Sequence, residues 1–314
     1  MNPLKVMVGG GCGFIGSALV SRMVGGGIHV ISVDDLSTGH PLRLKSERLQ
    51  FEKGDTGSIR FMSKLLRAAR PDIYIHASGV SDPLKGEKDP SIDLKETLLP
   101  FVETLRSLEE ASVGQIILVS TGEVFGVNNE GTPNEETTPI PDNSYGASYL
   151  AAEQYLSLFA RKIGVPYSII RLSPVFGPGQ SLEGEAGFVT GWARGLIRKD
   201  PTDMPKMSGN GKRIRDFIYI DDVVDGILSI LLEKKHGVFH LGSGKPLSER
   251  EFFFMFRTFS GFVGDIVYEG QYPAGSMKRI LGHQTLLSES GWTPETSFED
   301  GVSRTVEWFR RWLG

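Results

Sequence analysis

The 314-residue sequence holds one cysteine, Cys12. An intramolecular disulfide is therefore excluded, as is a zinc site built on several thiolates. No apolar run approaches the ~20 residues that a membrane-spanning helix needs. A basic surplus is also lacking. Lys and Arg total 34 against 38 Asp and Glu, for a net charge of −4, which argues against general nucleic-acid binding. Internal repeats and low-complexity tracts are absent. The opening residues, MNPLKVMVGGG, show no charged segment leading into a long apolar stretch and a cleavage site. These absences lead us to expect a soluble cytoplasmic chain with no nucleic-acid partner, no membrane and no metal.

Glycine is in excess, at 39 of 314 residues, about 12% against a usual ~7%. Apolar residues make up 39%, enough for a sizeable core. At ~100–200 residues per domain, the length suggests one large domain or two coupled ones.

Short apolar runs alternate with amphipathic ones in the first half. Leu4–Val8, His29–Val33, Asp72–Ala77, Gln115–Ser120 and Pro166–Leu172 read as strands. Helical patterns lie between them, at Phe14–Met23, Phe61–Ala69, Pro100–Ala111 and Tyr145–Lys162. Strands buried on both faces read as continuous apolar runs, because helices cover each side of a parallel sheet. The fold class expected is α/β, a Rossmann-like doubly wound parallel sheet with right-handed crossovers.

The rhythm loosens after Leu172. Residues 173–210 are rich in Gly and Pro and carry one good helix, Phe188–Arg198. Ile214–Ile220 and Gly237–Leu241 look like strands, and Val223–Leu232, Glu249–Phe259 and Phe298–Trp312 like helices. The expected organisation is a cofactor-binding domain over 1–172, rejoined by about 213–241, and a smaller substrate-binding lobe from 173–212 and 242–314. Trp308, Phe309 and Trp312 have helical spacing and are expected to anchor the core.

Gly10, Gly13 and Gly16 lie between the first strand and the first helix, in Gly9-Gly10-Gly11-Cys12-Gly13-Phe14-Ile15-Gly16. Such a turn supplies positive φ, close backbone approach to a pyrophosphate, and tight helix–strand packing. The helix start, at Phe14 and Ile15, offers N–H groups and a positive dipole end to the anion. Asp34 follows 18 residues after Gly16, at the end of the second strand. An acid there pairs with the adenosine ribose hydroxyls and disfavours a 2′-phosphate, so the expected cofactor is NAD.

GGGCGFIGS, VDDLSTG at Val33–Gly39 and KGDT at Lys53–Thr56 resemble the extended short-chain dehydrogenases that act on nucleotide sugars, and the likeness runs over almost the whole chain. It implies that Leu36, Ser37, Thr38 and Gly39 wrap the adenosine and that Asp55 and Thr56 meet the adenine. Ala77, Ser78 and Gly79 would lie against the cofactor. His76 is taken as a packed strand residue, without a second ligand at metal spacing.

The resemblance also places Thr121 and Tyr145 on one sugar hydroxyl, with Tyr145 as phenolate removing its proton while hydride leaves the carbon. The family expects YxxxK, whereas this chain reads Tyr145-Gly146-Ala147-Ser148-Tyr149. Tyr149 shares a helix face with Tyr145 but supplies no positive charge. A free Tyr titrates near ~10, and a neighbouring cation would lower that value. Tyr149 remains a candidate to hydrogen-bond the nicotinamide ribose.

Thr121-Gly122-Glu123 resembles the Thr-Asp-Glu of the sugar-nucleotide dehydratases. Once C4 is a ketone, the C5 proton is acidic, and Glu123 is the candidate general base. The acid that protonates the leaving hydroxyl in that branch is Gly122 here. The two departures together resemble UDP-N-acetylglucosamine 5,6-dehydratase chemistry.

Arg215-Asp216-Phe217 resembles the family's RDF segment and marks Arg215 for the substrate diphosphate, where an Arg fork suits the anion. Lys278 and Arg279 are further candidates, and Ser81 and Phe188 are assigned to the sugar and base. Arg171-Leu172-Ser173-Pro174 has proline at the family's Asn, and proline offers neither an amide side chain nor an N–H. The resemblance implies a nucleotide-diphosphate-sugar substrate, expected to be UDP-linked, and a homodimer through Pro100–Ala111 and Ser148–Arg161. The function expected is an NAD-dependent nucleotide-sugar dehydratase. The alternatives are a 4-epimerase and a non-catalytic sensor of NAD or nucleotide sugar.

Overall fold

The apolar runs assemble side by side because neither face of such a strand tolerates water. The computed structural model describes residues 3–42, 44–79, 83–126, 131–180, 188–198, 206–264, 266–270 and 278–313. Seven strands form one sheet: β1 (Lys5–Gly9), β2 (His29–Asp34), β3 (Leu49–Lys53), β4 (Ile73–His76), β5 (Gln115–Thr121), β6 (Tyr167–Leu172) and β7 (Gly237–Leu241). Their order is β7-β6-β5-β4-β1-β2-β3, with every pairing parallel. Val6, Val8, Ile75, Ile117 and Ile170 fill one face, and Met7, Tyr74, Ile116, Leu118 and Ile169 the other.

The chain departs from β1 in one direction and returns on its other side at β4. A crevice opens beyond the carboxyl ends of strands that diverge in this way, and ligands bind there. The turn after β1 and residues 77–79 after β4 meet at that point. Ala77 N–H donates to the Gly9 carbonyl at 2.8 Å.

Three expectations are corrected. Leu49–Lys53 is a strand that the apolar pattern missed, since it is the half-exposed edge of the sheet. Ile214–Ile220 is two short strands, Ile214–Arg215 and Ile218–Tyr219, in different small sheets. The chain breaks at Asp216, whose buried carboxylate accepts from the Ser243 hydroxyl and the Leu281 N–H. Trp312 is 42% exposed and stacks on Trp308, so only Phe309 of that trio is fully buried.

Beyond the sheet, Lys206–Ser208 pairs with Val267–Glu269, while Ile214–Arg215 is flanked by Leu247–Ser248 and Lys278–Arg279. Trp192, Phe217, Phe252, Phe253 and Phe256 pack there as an aromatic cluster, with Phe217 and Phe252 stacked at 3.9 Å.

Candidate active site

Gly10 adopts φ +76°, and a Cβ there would stand 2.6 Å from the Ala77 carbonyl oxygen. A Cβ on Gly16 would run into the Gly10 carbonyl oxygen, so the turn lies flat on the helix Phe14–Gly25. Gly13 is that helix's N-cap and makes no side-chain cap, which leaves the helix start to an anion. Asp34 is buried, and its two oxygens accept from the backbone N–H groups of Leu36 at 2.8 Å and Cys12 at 2.9 Å. One carboxylate thus pins the glycine turn to the following loop. Leu36 takes φ +64°, and a Cβ on Gly39 would stand 2.8 Å from Cys12, so residues 36–39 fold back over the turn. Asp55 accepts from the Gly57 N–H at 2.7 Å, and Thr56 is buried with its carbonyl held by Thr104. Ser78 is half-buried, and Gly79 is exposed with φ +148°.

Thr121 ends β5 and caps the 3₁₀ turn Gly122–Phe125, its hydroxyl accepting from the Glu123 N–H at 3.2 Å. The Thr121 side chain neighbours the Tyr145 phenol and favours its ionised form. Tyr145 and Tyr149 lie on the helix Ser144–Ile163 with ring centroids 4.9 Å apart. Burial pushes the Tyr145 phenol well above its ordinary value, aided by Tyr149 and Asp93 and opposed by Thr121. Burial likewise pushes Tyr149 up to about 12, with Tyr145 opposing and Asp93 assisting. The side chain at 149 therefore contacts Tyr145 as expected and brings no charge that would favour its phenolate.

Glu123 Oε2 accepts from the Asn143 side-chain amide at 3.0 Å. Asn143 also caps the helix, accepting from the Gly146 N–H at 2.7 Å. A Cβ on Gly146 would strike the Glu123 carbonyl, so glycine there lets helix and turn touch. Sequence reasoning passed over Asn143; its place one residue before a helical run is an N-cap signal that could have found it. Asp93 and Leu281 were also missed, with no local signal for either. Leu281 packs with Tyr145 and Tyr149, and a Cβ on Gly122 would stand 3.3 Å from its Cδ2.

Arg215 is buried, with Nε 3.5 Å from Glu249, which Arg213 holds at 2.8 Å. Backbone pairing sets Arg279 beside Arg215 and Lys278 beside Ile214. Ser81 and the side chain of Phe188 lie outside the described residues. His76 is buried, and burial holds its imidazole down to about 3. Behind the site, Arg171 forms a bidentate bond with Glu153, which also accepts from Ser120.

Residues 6–242 match the NAD dependent epimerase/dehydratase family. The chain belongs to this family. It is 29% identical to UDP-glucose 4-epimerase of Mycolicibacterium smegmatis, over 98% of this chain and 99% of that protein. It is 26% identical to dTDP-glucose 4,6-dehydratase of Xanthomonas campestris, over 96% and 92%. Among solved structures it is similar to Thermotoga maritima UDP-glucose 4-epimerase with UDP-glucose, at TM-score 0.90 and 30% identity, covering 99% and 100% of the two chains. It is as similar in fold to the dTDP-glucose 4,6-dehydratase DesIV of Streptomyces venezuelae with NAD bound, at TM-score 0.90 and 25% identity, covering 98% and 97%. NAD is the cofactor characteristic of the family, and the flat glycine turn, the open helix start and Asp34 fit it.

Proposed function

We propose that this member of the family is a nucleotide-sugar dehydratase that oxidises the sugar at C4, removes the C5 proton and expels the C6 hydroxyl. UDP-N-acetylglucosamine is the substrate assigned, with a 5,6-alkene as product. The Glu123 carboxylate carries this reading. It is tethered by Asn143 one short turn from Thr121, beside the Tyr145 phenol, so a carboxylate base and a phenol are available to neighbouring carbons of one ring. NAD, when bound, supplies a reversible hydride acceptor. Thr121 and Tyr145 hold the C4 hydroxyl and take its proton. Glu123 takes the C5 proton made acidic by the C4 ketone. Leu281 covers Gly122 with hydrocarbon, so no side chain at 122 protonates the leaving hydroxyl. Arg215, with Arg279 beside it, is assigned to the diphosphate.

The same feature at Gly122 favours a second reading, a 4-epimerase in which Glu123 is a bystander; the near full-length likeness to UDP-glucose 4-epimerases supports it. Incubation with UDP-N-acetylglucosamine in deuterated water, followed by NMR, tests the proposal. An alkene or 6-deoxy signal supports dehydration. Clean C4 inversion without deuterium uptake replaces it by epimerisation. No turnover over a panel of nucleotide sugars replaces it by a non-catalytic sensor, for which Tyr149 and Pro174 would be the signs.

We also infer a homodimer. Leu94 and Leu99 are 51% and 55% exposed, and Tyr155 and Leu158 are 48% and 58% exposed, on helical segments that pack against each other. Light scattering of wild type and Leu158→Arg checks it: a wild-type monomer would remove the inference.

A further inference from the structure

Helical spacing groups Trp312 with Trp308 and Phe309, yet the Trp312 ring lies outside the core. It stands in the last turn of the helix Phe298–Leu313. Val302, Val306 and Phe309 are buried along that helix, which packs against the helices Phe188–Arg198 and Glu249–Ser260. Arg310 donates to the Phe259 carbonyl at 2.8 Å, so the helix is fixed as far as its last turns. Trp308 is half-buried against the core and stacks on Trp312, with centroids 5.4 Å and planes 13° apart. Trp312 in turn meets the ring of His40, with centroids 5.4 Å apart and planes at 49°. Aromatic pairs attract at such offsets, with centroids about 4.5–7 Å apart.

His40 belongs to the loop after β2 that folds back over the glycine turn. Its N–H donates to the Cys12 carbonyl at 3.1 Å. A Cβ on the preceding Gly39 would stand 3.0 Å from the Cys12 Cβ, so the loop lies directly on the turn and Cys12 is buried beneath it. At one end of the loop Leu36 N–H is held by Asp34 at 2.8 Å, and at the other Leu42 packs against the core. Between these anchors Ser37, Thr38 and His40 are exposed. His40 and Trp312 therefore join a loop on the cofactor side to a helix seated on another part of the core. Two exposed rings gain little from burial. What their contact fixes is where the loop sits.

We propose that the stack of Trp308, Trp312 and His40 is a clasp that holds residues 36–40 closed over the glycine turn and so retains the dinucleotide. His40 and Trp312 are positioning residues that act through the loop. Release of NAD requires the loop to lift, and lifting it parts the rings of His40 and Trp312. The clasp rests on the assignment of residues 36–39 to the adenosine. It concerns cofactor retention alone, so it stands whether the chain eliminates water or epimerises.

Two rates measured on NAD-loaded protein test the clasp. Exchange of bound NAD for labelled NAD gives its release. Reaction of Cys12 with a thiol reagent gives the lifting of the loop, since no second cysteine competes. An aromatic pair is worth about threefold to tenfold in an equilibrium. Trp312→Ala and His40→Ala are each expected to raise both rates by that factor. Trp312→Phe keeps a ring against His40 and is expected to stay near wild type, which a general loosening of the helix end would not give. The double variant should match the single ones, because either change alone opens the clasp. Factors that multiply in the double variant mean two separate losses and overturn it. So do wild-type rates in either single variant. Faster thiol reaction with unchanged NAD release means that the loop lifts without freeing the cofactor, and this too overturns the clasp. Faster release with an unchanged thiol means damage elsewhere and does the same. Should Trp312→Ala not fold, His40→Ala, at an exposed loop position, decides by the same two rates. If the protein turns over no nucleotide sugar, the proposed function fails while both rates still judge the clasp.

Discussion

The Asn143 side-chain amide donates to the Glu123 carboxylate at 3.0 Å while its carbonyl oxygen accepts the Gly146 N–H at 2.7 Å. One residue therefore caps the helix that carries Tyr145 and aims the carboxylate proposed as base. The two jobs can be separated chemically. Asn143→Asp keeps a capping oxygen but sets a second carboxylate against Glu123. Asn143→Ala loses both, and cap loss alone costs about 1 kcal/mol. Thermal unfolding should be near wild type in the aspartate variant and lowered in the alanine variant. Product formation should fall in both, by about tenfold or more. Full activity in Asn143→Asp would show that the amide does not position Glu123.

Glu123→Gln preserves size and still accepts a hydrogen bond from Asn143, but it cannot take a proton. C5 deprotonation should fall by about 100-fold or more, the range for losing a general base. C4 oxidation, which belongs to Tyr145 and Thr121, should persist. Deuterium uptake at C5 and cofactor reduction measure the two steps separately. Unchanged elimination would remove Glu123 from the mechanism and leave the epimerase reading in place.

Local pattern made much of this legible. β1, β2, β4, β5 and β6 are apolar on both faces, and that alone marked most of the strands of the sheet. The Leu49–Lys53 edge strand escaped because its residues are half-buried or exposed, Phe51 at 40%. Ile214–Ile220 read as one strand because the pattern cannot register that the Asp216 carboxylate collects Ser243 and Leu281 from distant segments. At the site, Thr121, Glu123, Tyr145 and Tyr149 lie in two short motifs and could be read directly. Asp93 and Leu281 reach the same place only through tertiary packing, which no spacing encodes.

His240 gives a pH dependence with a definite sign. It stands beside Arg171 in the sheet register, and its ring packs edge-on to Phe125 at 5.3 Å. Burial holds the imidazole down to about 4 from an ordinary 6.5; Glu135 opposes the shift and Arg171 assists it. The folded protein thus keeps His240 neutral where the unfolded chain protonates it. Between about 6.5 and 4 the unfolded state binds more protons, so stability rises with pH across that window. The contribution is full above 6.5 and is lost as pH falls to about 4, an effect of order 2–3 kcal/mol. His76, held to about 3, acts in the same direction and extends the loss to lower pH. Unfolding temperature measured from pH 7 to 4 should fall, and the fall should be shallower in His240→Gln. Equal slopes in the two proteins would contradict a neutral buried imidazole.

Gly16 and Gly25 sit in one helix and predict opposite outcomes for the same substitution. A Cβ at Gly16 would collide with the Gly10 carbonyl oxygen, backbone that cannot swing aside as a side chain can. Gly16→Ala must lift the helix start off the turn and displace the N–H groups offered to the pyrophosphate. NAD affinity should fall by about 10- to 100-fold, equivalent to about 1.4–2.8 kcal/mol. Gly25, in the last turn, has nothing within 4 Å of its would-be Cβ and no positive φ. Gly25→Ala should leave NAD affinity unchanged and raise stability by about 0.4–1 kcal/mol, because alanine narrows the unfolded ensemble. Calorimetric titration with NAD and thermal unfolding of both variants decide the matter. Equal NAD affinity in wild type and Gly16→Ala would mean that the pyrophosphate does not rest on this turn.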